Sequence, residues 1–265
     1  MSISIKKFLN KKGKSKIVCL TAYSKNFAKI IDDYCDLVLV GDSLANVLYG
    51  MKNTYKINIE TMINHAKSVR QGVKKSLLIV DMPKGSYLNA KKALSNAKKI
   101  MKETKCNGVK IENNKKNYNV ISKLTNAGIP VMGHIGYTPQ FKKKFKVEGQ
   151  NTKEEKKLIK EAQFIEKAGA FSIVLECIST KVSKKITEKI KIPTIGIGAS
   201  IHCDGQILVT DDIIGLSGFK PKFVKIYANL YGTIKTAIKR YSNDVKKKRF
   251  PKKVNSFWYG RIVRK

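Results

Sequence analysis

The chain has 265 residues, of which 54 are lysine or arginine and 19 are aspartate or glutamate, so its formal net charge is +35. This length suits one large α/β domain, and we expect a single barrel domain over residues 1–265 with a basic tail from about residue 242. No apolar run reaches the roughly 18 residues of a membrane helix. The N-terminal segment lacks the apolar core of a signal peptide. The five cysteines are scattered and form no C-x-x-C pair, which favours a reducing compartment, so the sequence predicts a cytoplasmic protein without a membrane partner.

The excess of positive charge allows two interpretations. A charge of this size favours polyanions, such as nucleic acid. Nearly all of the basic residues are lysines, however, with only five arginines, and the lysines are spread along the whole chain. Nucleic-acid sites usually draw on arginine for bidentate and stacking contacts. We therefore expect no specific nucleic-acid partner and interpret the charge as a drift in composition.

Short apolar runs alternate with longer amphipathic stretches along the chain. Near-continuous apolarity in each run is typical of parallel strands that are buried on both faces. The seven runs are Ile17–Leu20, Leu37–Val40, Leu77–Val80, Gly108–Ile111, Pro130–Met132, Ser172–Leu175 and Pro193–Ile197. An eighth strand is placed at Phe223–Ile226. The pattern predicts an α/β fold, a (β/α)8 TIM barrel, with an open doubly wound sheet as the alternative.

The stretches between the runs show the period of helices. Ala90, Ala93, Ala97 and Ile100 fall on one helical face. Thr152 and Glu155 predict a capping box at the start of a later helix.

Ionisable residues gather where the predicted strands end. They are Asp42, with Ser43 beside it, then Asp81, Lys110, Glu112, His134 and Glu176. In a barrel the carboxyl ends of all strands meet at one mouth, which holds the active site. Carboxylates at the edge of a core need partners, and a divalent cation held by Asp42 and Asp81 would supply one. Magnesium suits such a site, since it binds one or two carboxylates together with substrate oxygens and water.

At these residues the sequence resembles the ketopantoate hydroxymethyltransferase family. The specific segments are Gly133-His134-Ile135-Gly136-Tyr137-Thr138-Pro139-Gln140 and Cys203-Asp204-Gly205-Gln206. Supporting segments are Val40-Gly41-Asp42-Ser43-Leu44, Asp81-Met82-Pro83, Val109-Lys110-Ile111-Glu112, Leu175-Glu176-Cys177 and Ile195-Gly196-Ile197-Gly198-Ala199. The resemblance runs in order from about Thr21 to Phe257.

The resemblance implies a barrel of the phosphoenolpyruvate/pyruvate type that forms homo-oligomers, typically decamers. It implies transfer of a hydroxymethyl group from 5,10-methylenetetrahydrofolate to 3-methyl-2-oxobutanoate, giving 2-dehydropantoate for pantothenate biosynthesis, through a Mg²⁺-stabilised enolate. It also implies roles for residues. The metal residues would be Asp42, Asp81 and Glu112; the keto-acid ligands Asp42, Ser43, Asp81 and Lys110; and the proton acceptor Glu176.

The chemistry of the side chains agrees with these roles. Lys110 can place positive charge beside a developing oxyanion. Glu176 leaves an apolar strand, where desolvation would favour its use as a base. His134 is the rival base, with a structural histidine as the alternative. Two other functions stay open: another metal-dependent α-keto-acid lyase or aldolase of the same barrel group, and a non-catalytic polyanion-binding relative.

The sequence departs from the family pattern outside these residues. The departures are Ser24, Lys84, Asn113, Asn114 and Gln150. They bear on loop geometry and folate contacts more than on the metal or proton transfer. Lys84 is expected to turn its ammonium away from the cation and toward water.

Overall fold

The computed structural model describes residues 3–114, 117–142 and 144–257. Within them, eight parallel strands close into a barrel in chain order, with β8 paired to β1. The strands are β1 (Ile17–Thr21), β2 (Leu37–Val40), β3 (Leu77–Asp81), β4 (Gly108–Glu112), β5 (Val131–Gly136), β6 (Ser172–Glu176), β7 (Thr194–Ile197) and β8 (Gly205–Leu208). The predicted TIM barrel is confirmed, and the open sheet is excluded.

Seven of the strands lie where the apolar runs predicted them. The eighth prediction is wrong: the strand is Gly205–Leu208, and Phe223–Ile226 is not a strand. A search for runs of apolar residues misses β8, because Gln206 is polar and exposed and Gly205 has no side chain. A Cβ on Gly205 would lie 2.5 Å from the carbonyl oxygen of Ile17 in β1, so the close approach of these two strands requires glycine.

Helices alternate with the strands along the chain. They are α1 (Ile5–Leu9), α2 (Lys25–Ile31), α3 (Leu44–Val47), α4 (Ile59–Gly72), α5 (Ala90–Thr104), α6 (Tyr118–Asn126), α7 (Thr152–Lys167), α8 (Thr180–Lys189), α9 (Thr210–Ile213) and α10 (Leu230–Lys246), with a 3₁₀ turn at Lys253–Asn255. The capping prediction for α7 is wrong by one residue. Asn151 is the N-cap, and its side chain accepts from the N–H of Glu154 at 2.9 Å.

The apolar core has two layers. One fills the barrel interior, where Phe8 of α1 meets Phe171 at a ring-centroid distance of 5.7 Å, near Leu37 and Leu77. The other lies between the strands and the helices. Both layers hold the strand ends in place, because buried side chains at packed density have little room to move.

The chain separates into two compact units. The first holds the barrel, up to Thr210, together with Lys222–Val224. The second holds Asp211–Pro221 and the chain from Lys225 onward, with α10 as its main element. The basic tail expected from about residue 242 is helical as far as Lys246, and its last residues, 258–265, lie outside the described residues. The single domain stays a prediction.

In the described part of the chain, no helix has the length and apolar character needed to cross a membrane. Four of the five cysteines are buried and all five are free, as small apolar residues often are.

Candidate active site at the barrel mouth

The polar strand ends lie side by side at the carboxyl end of the barrel. Asp81, Glu112 and Glu176 are the last residues of β3, β4 and β6. The register places Asp81 beside Lys110, and Glu112 beside His134. His134 lies within β5 rather than after it, a small correction to the sequence prediction. The predicted site residues are therefore neighbours in the fold.

Asp42 and Asp81 are linked through the protein backbone. The N–H of Asp42 donates to Asp81 Oδ2 at 3.0 Å, and Lys110 Nζ donates to Asp81 Oδ1 at 2.7 Å. All three residues are buried. The ammonium of Lys110 therefore lies inside the cluster of carboxylates, where a charge-assisted hydrogen bond holds it.

A glutamine that the sequence analysis did not assign to the site connects two of the carboxylates. Gln140, in the loop between β5 and α7, donates from Nε2 to Asp42 Oδ2 at 2.9 Å and from its backbone N–H to Glu112 Oε2 at 3.0 Å. The hydroxyl of Tyr87 donates to the Oε1 of Gln140. The only signal in the sequence was the position of Gln140 within the specific family segment.

His134 lies between two carboxylates. Its Nε2 is 3.2 Å from Glu176 Oε2, and its Nδ1 is 3.6 Å from Glu112 Oε1. Neither ring nitrogen makes a well-directed hydrogen bond within residues 3–114, 117–142 and 144–257. Burial lowers the pKa of His134, so the imidazole is held neutral at neutral pH.

The cluster holds three buried carboxyl groups, those of Asp42, Asp81 and Glu112, and one ammonium, that of Lys110. Burial, and then repulsion from Asp81, raises the pKa of Asp42 to about 7. Burial, and then the charge of Asp42, raises the pKa of Glu112 well above its usual range. Burial alone would lower the pKa of Lys110, but attraction to Asp81, Glu112 and Asp42 raises it overall.

Ser43 lies at the start of α3, where its Oγ is 2.8 Å from the hydroxyl of Tyr23. A Cβ on Gly41 would lie 2.8 Å from that Oγ and 3.5 Å from Asp81 Oδ2. Glycine before Asp42 therefore lets the chain turn without displacing Ser43 or Asp81.

Of the departures, Lys84 is the nearest to the predicted metal residues in sequence. Its ammonium lies over the ring of Tyr55, 3.3 Å from the centroid, rather than in open water. A cation–π contact of this kind stabilises the ammonium away from a metal. Gln150 donates its backbone N–H to Glu154, and Ser24 precedes α2 without a side-chain cap.

The predicted metal residues have suitable chemistry but are not gathered as a complete site. Among the described residues, no group of three or more His, Cys, Asp or Glu side chains is arranged to hold a metal ion. The oxygens of Asp42 and Asp81 do fit a hard cation, because magnesium takes one or two carboxylates and completes its shell with substrate and water. Glu112, whose carboxylate accepts from the backbone N–H of Gln140 and lies 3.6 Å from His134 Nδ1, stays a predicted ligand.

A closed barrel with carboxylates and a lysine at its carboxyl mouth is the architecture of a barrel enzyme. Residues 2–253 match the family described as ketopantoate hydroxymethyltransferase. The chain belongs to this family, and it is an enzyme of the transferase class.

This chain is similar to curated relatives over nearly its whole length. It is 52% identical over 257 residues to "3-methyl-2-oxobutanoate hydroxymethyltransferase" of Pelagibacter ubique, covering 97% of this chain and 100% of the relative. The protein of the same name from Thermosipho melanesiensis is 46% identical, with 98% and 100% covered, and that of Helicobacter pylori is 45% identical, with 93% of each covered.

Solved structures share the fold at low sequence identity. Phosphonopyruvate hydrolase in complex with oxalate and Mg²⁺ matches with a TM-score of 0.58 at 13% identity, covering 96% of this chain and 93% of that one. For 2,3-dimethylmalate lyase, a member of the PEP mutase/isocitrate lyase superfamily, the TM-score is 0.55 at 12% identity, with 95% and 90% covered. These likenesses support the (β/α)8 barrel fold that the sequence predicted.

Proposed function

We propose that the enzyme transfers a hydroxymethyl group from 5,10-methylenetetrahydrofolate to 3-methyl-2-oxobutanoate, giving 2-dehydropantoate in pantothenate biosynthesis. The names of the relatives support this substrate. The observation that carries the proposal is the buried group of Asp42, Asp81, Lys110 and Glu112 at the barrel mouth, with Glu176 at its edge. In the reaction C3 of the keto acid loses a proton and bonds to the one-carbon unit. Water supplies the new hydroxyl, and tetrahydrofolate is released.

A divalent cation fits the charge of the site. With all of them ionised, Asp42, Asp81 and Glu112 exceed the charge of Lys110 by two, and buried charge that is not balanced is costly. Asp42 and Asp81 would hold the cation, with Glu112 nearby. When bound, Mg²⁺ would supply Lewis-acid polarisation of the keto group.

The protein's own groups would position the substrate and move the proton. Ser43 and Lys110 are suited to bind the oxygens of the keto acid, and Lys110 would stabilise negative charge that develops on the keto oxygen. Glu176 would take the proton from C3. It is the most exposed carboxylate of the group, with 17% of its side chain accessible, so a substrate entering the mouth can reach it.

His134 supports this assignment of the base. Its neutral ring lies against Glu176 and can donate a hydrogen bond to that carboxylate, which would orient Glu176 toward the substrate. Glu176 is therefore the proposed catalytic base and His134 a positioning residue.

The test is the exchange of deuterium at C3. The keto acid deuterated at C3 is incubated with enzyme and Mg²⁺, with and without 5,10-methylenetetrahydrofolate, and deuterium loss and product are measured. We expect loss of deuterium with Mg²⁺ and product only when folate is added. Asp81→Asn should abolish both at limiting Mg²⁺. Full activity in Asp81→Asn would contradict the assignment, and turnover of a different keto acid without folate would favour a lyase or aldolase.

The second unit supports a homo-oligomer as the working form. No residue of α10 is buried, and an apolar stripe of large side chains lies along one of its faces. The stripe consists of Tyr231, Ile234, Ile238, Tyr241 and Val245. Contiguous exposed apolar surface of this kind usually marks an interaction site. We infer that the stripe packs against another copy of the chain; the decamer and the cytoplasmic location stay predictions.

A further inference from the structure

We propose that Gln140, oriented by Tyr87, is a positioning residue that holds the Asp42 carboxylate in place for a divalent cation. The inference rests on the proposed function, since it assigns Gln140 to the metal site of that reaction. It concerns a residue that touches neither the substrate nor the metal in the proposed chemistry.

The side-chain amide of Gln140 makes three hydrogen bonds, all of them inside the protein. It is 1% exposed and Tyr87 is 3% exposed. The amide nitrogen donates to Asp42 Oδ2 at 2.9 Å and to the carbonyl oxygen of Met82 at 3.0 Å, and the amide oxygen accepts from the Tyr87 hydroxyl. Three buried side-chain bonds, together with the backbone N–H bond to Glu112, leave the amide one orientation.

The surroundings determine which way the amide points. Nε2 faces two oxygen acceptors, a carboxylate and a carbonyl. A half-turn of the amide would place its oxygen against both of them and its nitrogen against the Tyr87 hydroxyl. Because the oxygens of Asp42 and Met82 can only accept, they require Nε2 on their side of the amide, and the hydroxyl of Tyr87 then holds that orientation by donating to Oε1.

This arrangement connects the carboxylates without adding charge. Gln140 holds Asp42 through its side chain and Glu112 through its backbone, while the N–H of Asp42 holds Asp81. A lysine or arginine in place of Gln140 would cancel negative charge that a divalent cation requires. A neutral donor orients the ligands and leaves their charge available, as partners behind metal ligands generally do.

The experiment measures binding of Mn²⁺ to the purified, substrate-free enzyme by the electron paramagnetic resonance of free Mn²⁺. Three variants are compared with wild type: Gln140→Met, Tyr87→Phe and the double variant. Gln206→Met is the matched control, because Gln206 is a β8 glutamine whose amide donates to the carbonyl of Ser200, outside the mouth. Circular dichroism and thermal unfolding establish that each variant is folded.

We expect Gln140→Met to raise the Mn²⁺ Kd about 10-fold or more, in the range for partners of metal ligands. Tyr87→Phe should raise it less, and the double variant should bind no worse than Gln140→Met alone, because the two residues act through one network. Gln206→Met should bind like wild type. High Mn²⁺ should also restore much of the activity that Gln140→Met loses at limiting metal, which a loss of general structure would not allow.

The outcomes separate this inference from the proposed function. Wild type that binds no Mn²⁺ would contradict the proposed metal site and the inference together. Wild type that binds, with an unchanged Kd in Gln140→Met, would overturn the inference alone. If Gln140→Met does not fold, Tyr87→Phe decides: a raised Kd supports the role of the pair, and an unchanged Kd overturns it.

Discussion

At the scale of single residues, the site contains two kinds of side chain: ionisable groups, and neutral groups that orient them. Asp42, Asp81, Glu112 and Lys110 are the ionisable groups of the site, whereas Gln140 has no charge and burial keeps the neighbouring His134 neutral. Neutral partners can orient a carboxylate without stabilising it so strongly that it stops acting as a ligand or base. Glu176 is the carboxylate that most needs this freedom, because a base must give up its proton again.

We predict that Glu176→Gln lowers the rate of deuterium loss from C3 by at least about 100-fold, the usual contribution of a general base. Keto-acid binding should change little, because the role belongs to the transition state. Single-turnover exchange, together with the Kd of the keto acid, measures the two effects separately. Exchange at the wild-type rate would move the role of base to His134 or to a water molecule.

The charged residues of the site, together with Ser43 and His134, could be predicted from the sequence, whereas Gln140 and Tyr87 could not. Asp81, Glu112 and Glu176 end apolar strands, so their convergence followed from the strand pattern alone. Gln140 and Tyr87 lie in loops, where no periodicity relates sequence position to direction. Their contact depends on how two loops approach each other, which only the folded chain shows.

At the scale of elements, one carboxylate fixes the position of the loop that leads into β3. Asp32, at the end of α2, is 5% exposed and accepts from the backbone N–H groups of Lys74, Lys75 and Ser76. Burial tends to raise the pKa of Asp32, but these hydrogen bonds outweigh it and lower the pKa overall. The position of β3, which carries Asp81, therefore depends on this charge.

We predict that Asp32→Asn lowers the free energy of unfolding at pH 7 by about 1–3 kcal/mol, the range for hydrogen bonds to a charged group. A depressed pKa in the folded state gives stability that is present above the unfolded pKa, about 3.9, and is lost as the pH falls through the folded value. The difference between wild type and variant should therefore shrink below about pH 4. Urea unfolding at pH 7 and in acid measures it.

Asp33→Asn is the matched control. Asp33 is the next residue, but its ion pair with Lys75 is exposed on both sides, and such pairs contribute little. We expect almost no change in unfolding at either pH. Equal losses in Asp32→Asn and Asp33→Asn would show that the backbone hydrogen bonds are not the source of the stability.

The junction of β5 and β6 depends on a glycine. Gly136 has φ +94°, and a Cβ there would lie 2.1 Å from the carbonyl oxygen of Glu176. Gly128 also has a positive φ, of +77°, but its Cβ would meet nothing within 4 Å. Alanine would therefore strain the backbone at both positions, but only at Gly136 would its methyl group collide with the neighbouring strand.

We predict that Gly128→Ala costs about 1–2 kcal/mol of stability, the penalty for a left-handed residue with a side chain. Gly136→Ala should cost about 1–3 kcal/mol more, because the strands must separate to admit the methyl group. It should also slow C3 exchange by displacing Glu176. Urea unfolding and the exchange assay test both; equal losses of stability in the two variants would contradict the role of the collision.

The barrel itself could be predicted almost completely from apolar runs, because parallel strands covered on both faces leave an uninterrupted signal. That signal failed at β8, where the outward residue Gln206 is exposed, and in the second unit, where α10 has no buried face. Phe223–Ile226 is apolar enough to suggest a strand, but its neighbours in space, rather than its composition, decide its structure.

At the scale of the whole molecule, the charge of +35 opposes the assembly that the apolar stripe on α10 favours. Like-charged subunits repel over roughly a Debye length, about 10 Å at 0.1 M salt and less at higher salt. Added salt should therefore favour the oligomer. The same screening should weaken any contact with DNA, which we expect to be independent of sequence.

We predict that Ile238→Lys shifts the enzyme toward smaller species, because it places a charge in the middle of the apolar stripe. Thr236→Lys is the control: it adds the same charge on the opposite face of α10, about 180° around the helix from the stripe at 100° per residue. Sedimentation velocity at low and high salt measures both. Wild type and Thr236→Lys should associate more as the salt rises, since their repulsion is screened, whereas Ile238→Lys should stay dissociated because the buried contact is lost. Identical behaviour of the two lysine variants would show that only net charge matters and that the stripe is not the interface.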